Sequence, residues 1–147
     1  MSAMTDDRGE ATSPAAIRIL EESRSREKAQ TLFYRRLAAR ADAEDRPDLA
    51  ERFNDLHADE QHHLSRLTAR ILELGGEPLE LPPGEALPDV AMEEWEAVAR
   101  GREETEVAWY ESLAGGDLDP RTSELVEEIL VSERHHRDQL GGKWMSA

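Results

Sequence analysis

Two stretches of this chain break the rule that the buried stripe of a helix is apolar. After the turn signal Arg46-Pro47-Asp48 and up to the pair Gly75-Gly76, Leu49, Phe53, Leu56, Leu67, Ile71 and Leu74 recur at steps of four and three. The same seam passes through Glu60 and His63. A second stretch, after Asp119-Pro120, leads from Val126 and Ile129 to Glu133, His136 and Leu140 on one face. A carboxylate and an imidazole therefore occupy core positions twice, in two copies of Glu-x-His-His. An unpaired carboxylate taken out of water costs several kcal/mol even after relaxation, so the fold has to bring something positive to it.

The rest of the chain supplies the other walls of that interior. Ser13-Pro14 gives an N-cap and a proline at the first helical position, and no Gly or Pro follows until about Glu44, which defines a first helix. The Pro47–Gly75 stretch is the second. From Gly75 to Pro88 come four prolines and three glycines, which read as an extended connection at the midpoint. A third helix is expected from Asp89 to just before Gly115-Gly116, and a fourth from Asp119-Pro120 to Gly141-Gly142. Two helical hairpins joined by one long crossover make an all-α four-helix bundle. At 147 residues it is one domain, and 35% charged residues with 5% aromatics suit long helices with solvated outer faces. Residues 1–12 are expected to be a flexible N-terminus, 13–141 the bundle, and 142–147 a tail in which Trp144 docks or dangles.

The first and third helices also turn acids inward. Glu27 lies seven residues after Leu20 and seven before Tyr34, a spacing that keeps all three on one face, and Glu103 and Glu106 lie between Ala99 and Tyr110 in the same manner. The hairpins resemble each other: Arg26-Glu27 with Phe33-Tyr34 matches Arg102-Glu103 with Trp109-Tyr110, and Glu60-x-His62-His63 matches Glu133-x-His135-His136. Glu27 and Glu60 stand almost equally far from their turn, as do Glu103 and Glu133 from theirs, so all inward polar groups meet in one layer. Five carboxylates there would exceed a domain's whole stability margin of roughly 5–15 kcal/mol. Arg26 and Arg102 are too few, and each sits one position off the seam. Two divalent cations resolve the conflict, and the i, i+3 spacing of Glu-x-x-His puts an oxygen and a nitrogen donor within reach of one ion. With no cysteine in the chain, the ligands have to be His and carboxylates, a set that suits manganese as well as iron.

Other polar residues have plainer alternatives. Glu106 faces Gln30 in the internal match, so it is either an additional ligand or a solvated surface residue. His62 and His135 point about 100° away from His63 and His136 and read as supporting or surface groups. His57 reads as structural. Tyr34 and Tyr110 are core aromatics whose hydroxyls are placed to hydrogen-bond a ligating carboxylate, and together with Glu106 they are the catalytic candidates.

One Glu on each of two helices plus Glu-x-x-His on each of the other two resembles the ferritin-like di-iron carboxylate proteins, over nearly the whole chain. Glu106, three residues after Glu103, resembles the extra carboxylate of rubrerythrins. The resemblance implies that Glu27 and Glu103 are terminal ligands of two irons, Glu60 and Glu133 bridging ligands, and His63 and His136 nitrogen ligands, with Glu106 competing with His63 for one iron. Rubrerythrins typically carry a rubredoxin domain with four cysteines, and its absence makes the resemblance one to the stand-alone members. The activity implied is reduction of hydrogen peroxide to water, with electrons from an external donor such as a rubredoxin or a flavoprotein reductase. The rivals are a ferroxidase or iron-storage protein acting with oxygen on the same ligands, and a metal-free helical interaction module.

A net charge of −15 with no local Lys/Arg cluster excludes nucleic acid and anionic membrane as partners, and the acidic first residues contain no leader-like apolar run, so a cytoplasmic protein is expected. If the third helix starts at Asp89, a connection of about 14 residues must cross about 43 Å, close to its extended reach of about 46–50 Å. That tautness favours a homodimer in which hairpins are exchanged between chains.

Overall fold

The computed structural model describes residues 14–83 and 89–142, and four helices carry almost all of them: α1 (Pro14–Ala43), α2 (Pro47–Glu73), α3 (Trp95–Leu113) and α4 (Pro120–Gln139), with one 3-10 turn at Met92–Glu94. The expected cap at Ser13, the segment 1–12 and residues 143–147 with Trp144 lie outside the described residues. α1 and α2 form one antiparallel hairpin, α3 and α4 the other, and together they make a four-helix bundle.

Local chemistry fixes the turns. α2 ends in a Schellman motif: Gly75 adopts φ +83°, its N–H bonds the Leu72 carbonyl at 3.0 Å, and the Gly76 N–H bonds the Ile71 carbonyl at 2.9 Å. The α1–α2 turn repeats this pattern with Asp45 at φ 58°, the Arg46 N–H reaching the Ala41 carbonyl at 2.8 Å. At the start of α4 the Asp119 side chain caps the Thr122 N–H at 3.1 Å and also accepts Arg70 Nη2 from the end of α2 at 2.6 Å, tying the two hairpins together. Burial alone would raise the Asp119 carboxyl, but hydrogen bonds from Thr122 and the Arg70 guanidinium hold it below the usual carboxylate range. Asp119→Ala is expected to lower stability by about 1–3 kcal/mol, read by thermal melting. Because the folded carboxyl is depressed, that difference is present above the unfolded pKa and fades as pH falls through the folded one.

α3 begins at Trp95, six residues after the Asp89 boundary that its sequence suggests. Val90 and Met92 are both buried, and extended backbone at Ala91 (φ −65°, ψ 143°) turns these i, i+2 neighbours to the same side, which a helix cannot do. Residues 74–94 therefore lie between α2 and α3. From Glu60 to Glu73 and from Trp95 to Glu103 the helices climb about 31 Å in total at 1.5 Å per residue, which such a connection covers with ample slack. The tautness that favoured hairpin exchange between chains is absent. The first part of the connection is laid against α1, where Leu79 donates its N–H to Glu21 (2.8 Å) and its carbonyl accepts Arg24 Nη1 (3.0 Å).

The core is split in two. One apolar cluster, with Phe33, Leu37, Leu49, Phe53, Trp95 and Leu140, fills the end of the bundle near the α1–α2 turn. A second, with Leu20, Leu67, Ile71, Val107, Leu125 and Ile129, fills the other end. The inward acids and histidines occupy the layer between them. No helix among the described residues is long and apolar enough to cross a membrane.

Candidate metal centre

On α2 the buried residues are Leu49, Phe53, Leu56, Glu60, His63, Leu67 and Ile71, a single three-four seam with the Glu-x-x-His pair at its centre. α4 buries Glu133 and His136 below Val126 and Ile129, α1 buries Glu27, and α3 buries Glu103 and Glu106. None of the seven is more than 7% exposed. The four helices thus bring together all the residues that the sequence pointed to. His62 and His135 face solvent, and His57 Nδ1 lies 2.9 Å from the Thr31 carbonyl, a structural contact.

Six of the seven sort into two groups of four. Glu27, Glu60, His63 and Glu133 each bring one donor atom within 4.8 Å of the others, and so do Glu60, Glu103, Glu133 and His136. Glu60 and Glu133 belong to both. Such an arrangement is consistent with two ions, each with its own Glu and His and two carboxylates in common. The ring centroids of His63 and His136 lie 6.3 Å apart across it. Glu106 belongs to neither group: its Oε2 lies 3.6 Å from Nη1 of Arg26, the residue before Glu27, and its Oε1 is buried without a hydrogen-bond partner among the described residues.

The two hairpins hold each other's acids. The Tyr34 hydroxyl of the first donates to Glu103 Oε1 of the second at 2.7 Å, and the Tyr110 hydroxyl of the second donates to Glu27 Oε2 of the first at 2.7 Å. The cations just outside the layer follow the same exchange, with Arg26 stacked over Trp109 and Arg102 over Phe33, each at 4.4 Å.

The polar atoms of the layer fit a metal. Among the described residues, both oxygens of Glu60 and of Glu133, Glu103 Oε2 and His136 Nδ1 are buried without a well-formed hydrogen bond. Buried acceptors are nearly always satisfied in folded proteins, and these converge on one small volume. Hard cations bound by oxygen and imidazole would satisfy them together.

Without metal, protons carry the balance. Burial, reinforced by the surrounding acids, pushes the Glu60 and Glu103 carboxyls well above the usual range and raises Glu27. Glu106 is pushed up to about 7, mainly by burial and against the pull of Arg26. Glu133 is held low in spite of its burial by contacts with His136 and Glu60, and His136 rises to about 10 because its hydrogen bond to Asp59 and the closeness of the Glu133 and Glu103 carboxylates outweigh burial. The metal-free folded state therefore binds more protons near neutrality than the unfolded chain does, and the sign of linkage makes its stability fall as pH rises. The melting temperature of the metal-free protein is expected to drop between about pH 5 and pH 8, the reverse of ordinary acid denaturation. The metal-loaded protein should lack that drop, because bound ions displace the same protons.

Some members of the layer carried no sequence signal. Asp59 accepts His136 Nε2 at 2.8 Å from an exposed position. Gln30 donates to Glu103 Oε1 at 3.1 Å and is itself held by Arg102 Nε at 2.8 Å. A polar residue opposite Glu106 in the internal match was the only available hint for Gln30, and Asp59 looks like any acid on a solvated face.

Comparison with curated proteins finds none that matches. Among solved structures the chain is similar to the bacterioferritin of Desulfovibrio desulfuricans, with 24% identity and a TM-score of 0.80 over 86% of this chain and 76% of that one. It is similar to the bacterioferritin BfrA of Mycobacterium tuberculosis at 22% identity and a TM-score of 0.81, over 90% and 86%. A ferritin-like di-iron carboxylate protein of Bacillus anthracis is similar at 24% identity and a TM-score of 0.75, over 90% and 96%. These likenesses show the fold. The rubrerythrin family profile matches residues 18–142, nearly the whole length and every residue of the layer, and the chain belongs to that family.

Proposed function

We propose that this protein is a di-iron oxidoreductase that reduces hydrogen peroxide to water, drawing electrons from an external donor. Held by Glu27, Glu60, His63, Glu103, Glu133 and His136, two iron ions would supply two electrons and Lewis acidity, so that H2O2, two electrons and two protons give two waters. The chain's own residues do the rest. Tyr34 and Tyr110 fix Glu103 and Glu27 through their 2.7 Å hydrogen bonds, and each holds a phenolic proton at the carboxylate it orients. The two apolar clusters exclude bulk water, which restricts the reacting molecule to a small one.

The observation that carries the peroxide reading is Glu106. It is a buried carboxyl outside both four-residue groups, paired with Arg26, the residue before Glu27, and pushed up to about 7 by burial in the metal-free protein, which makes it a candidate to give or take a proton. Glu106→Gln is expected to slow peroxide reduction by about 10²–10⁴-fold, the usual range for loss of an acid–base group, while the metal content stays at two ions. Stopped-flow mixing of the reduced protein tests the reading itself: oxidation should be faster with peroxide than with oxygen, and the opposite order would refute it.

A ferroxidase or iron-storage role uses the same ligands and is favoured by the fold likeness to bacterioferritins. It requires assembly into a large shell, which size-exclusion chromatography reveals. A metal-free interaction module is disfavoured by the unpartnered oxygens of Glu60 and Glu133, and elemental analysis of protein purified without chelator decides it. The same analysis separates iron from manganese. An electron donor such as a rubredoxin or a reductase is to be sought by coupled turnover, and a homodimer by its mass in solution.

A further inference from the structure

The two halves of the layer match in ligand type and differ in how those ligands are held. At the Glu103/His136 half every terminal donor is fixed from outside. Glu103 Oε1 accepts both Tyr34 (2.7 Å) and Gln30 (3.1 Å), which leaves its buried Oε2 without a partner and turned to the layer. His136 is anchored through Nε2 by Asp59 at 2.8 Å, which turns its Nδ1 to the layer, 3.3 Å from Glu133, 3.6 Å from Glu60 and 3.8 Å from Glu103. The Glu27/His63 half is different. Among the described residues no outside group anchors the His63 ring, and this half's two terminal donors lie closer to one another: His63 Nδ1 is 3.3 Å from Glu27 Oε1, against 3.8 Å between His136 and Glu103, and 3.2 Å from Glu60 and 3.4 Å from Glu133. Among the described residues, Tyr110 is the one outside group bonded to Glu27. In the internal match, the place that Asp59 holds before Glu60 is taken before Glu133 by Ser132, which offers no carboxylate.

Resting on the reading of this layer as a dinuclear metal site, we infer that its halves are ranked: the Glu103/His136 half is the tight, first-filled position, Asp59 and Gln30 are the positioning residues that make it so, and the Glu27/His63 half is the exchangeable one. A ligand already oriented loses little freedom when the ion arrives, and a partner on the far ring nitrogen fixes the imidazole and raises its basicity. At the other half an ion must first separate His63 from Glu27. Glu106 pairs at 3.6 Å with Arg26, the residue next to Glu27, so the half that adjoins the proposed acid–base group is the more easily exchanged one.

Biphasic binding alone would not decide the matter, because two cations sharing Glu60 and Glu133 repel each other and separate the steps even between identical halves. Single-position proteins avoid this. His63→Gln retains the Glu103/His136 half and His136→Gln the Glu27/His63 half; Co(II) absorption titrations of the two metal-free variants give each affinity separately. The first is expected to bind at least tenfold tighter. Adding Asp59→Asn, a change at an exposed side chain, should weaken the first by about 10–100-fold and shift the second by less than twofold. Equal or reversed affinities overturn the ranking, and so does an equal effect of Asp59→Asn in both backgrounds, which would mark it as a general charge effect. If either histidine variant fails to fold, Glu27→Gln and Glu103→Gln replace the pair with the same expected order. A wild-type protein that binds no Co(II) overturns the metal-centre reading and the ranking together, whereas two ions held equally overturn the ranking alone.

Discussion

Saturating the metal-free protein with Mn(II) is expected to raise its melting temperature by about 15 °C, with chelator restoring the original value. An ion that binds only the folded chain stabilises it by about 2.7 kcal/mol at a free concentration a hundredfold above its dissociation constant, so two contribute about 5 kcal/mol. For a domain of this size each kcal/mol moves the midpoint by roughly 3 °C. The effect is large because ions replace protons and repulsion in a layer where both oxygens of Glu60 and of Glu133 have no hydrogen-bond partner. Differential scanning calorimetry with and without metal reads it, and a shift below about 3 °C would mean that the acids do not depend on cations for company.

Replacing either shared carboxylate is expected to remove both ions at once. Glu60 and Glu133 each belong to both four-residue groups, so Glu60→Leu or Glu133→Leu should take bound metal from two per chain to near zero, whereas Glu27→Leu should leave one. Glu60→Leu should also stabilise the metal-free protein by about 1–4 kcal/mol, since a carboxyl that burial pushes well above its usual range gives way to an apolar side chain between two apolar clusters, whereas Glu133→Leu should destabilise it by taking the charged partner from His136. Metal analysis and calorimetry on one preparation test both halves of the expectation. A Glu133→Leu protein that still held two ions would show that the shared position is not shared.

Much of this was legible beforehand because helical periodicity is a strict geometric constraint. The α2 seam from Leu49 to Ile71 reads out of the sequence residue for residue, and Glu60 and His63 stand out because they interrupt it. Internal repetition did the rest: the match of Arg26-Glu27 to Arg102-Glu103 selects Glu103 over Glu104, and Glu103 is the buried one of the two. What escaped has no periodic signature. The start of α3 was misplaced because Val90 and Met92 enter the core through extended backbone, where helix rules say nothing. Arg24 is buried on the outer side of α1 by contacts with Thr68, Glu21 and the Leu79 carbonyl, a product of where the connection happens to lie. Asp59 escaped because its importance depends on which ring nitrogen of a residue 77 positions away points toward it.

Neither hairpin owns a full set of four. The first supplies Glu27, Glu60 and His63 and lacks Glu133, and the second supplies Glu103, Glu133 and His136 and lacks Glu60. Each also borrows the other's tyrosine to steady its terminal acid. The ions would therefore act as bolts between two separately incomplete pieces. Made as two peptides and mixed, the halves should join when metal is added and part when it is withdrawn, so the chain's own midpoint becomes a metal-controlled fastener.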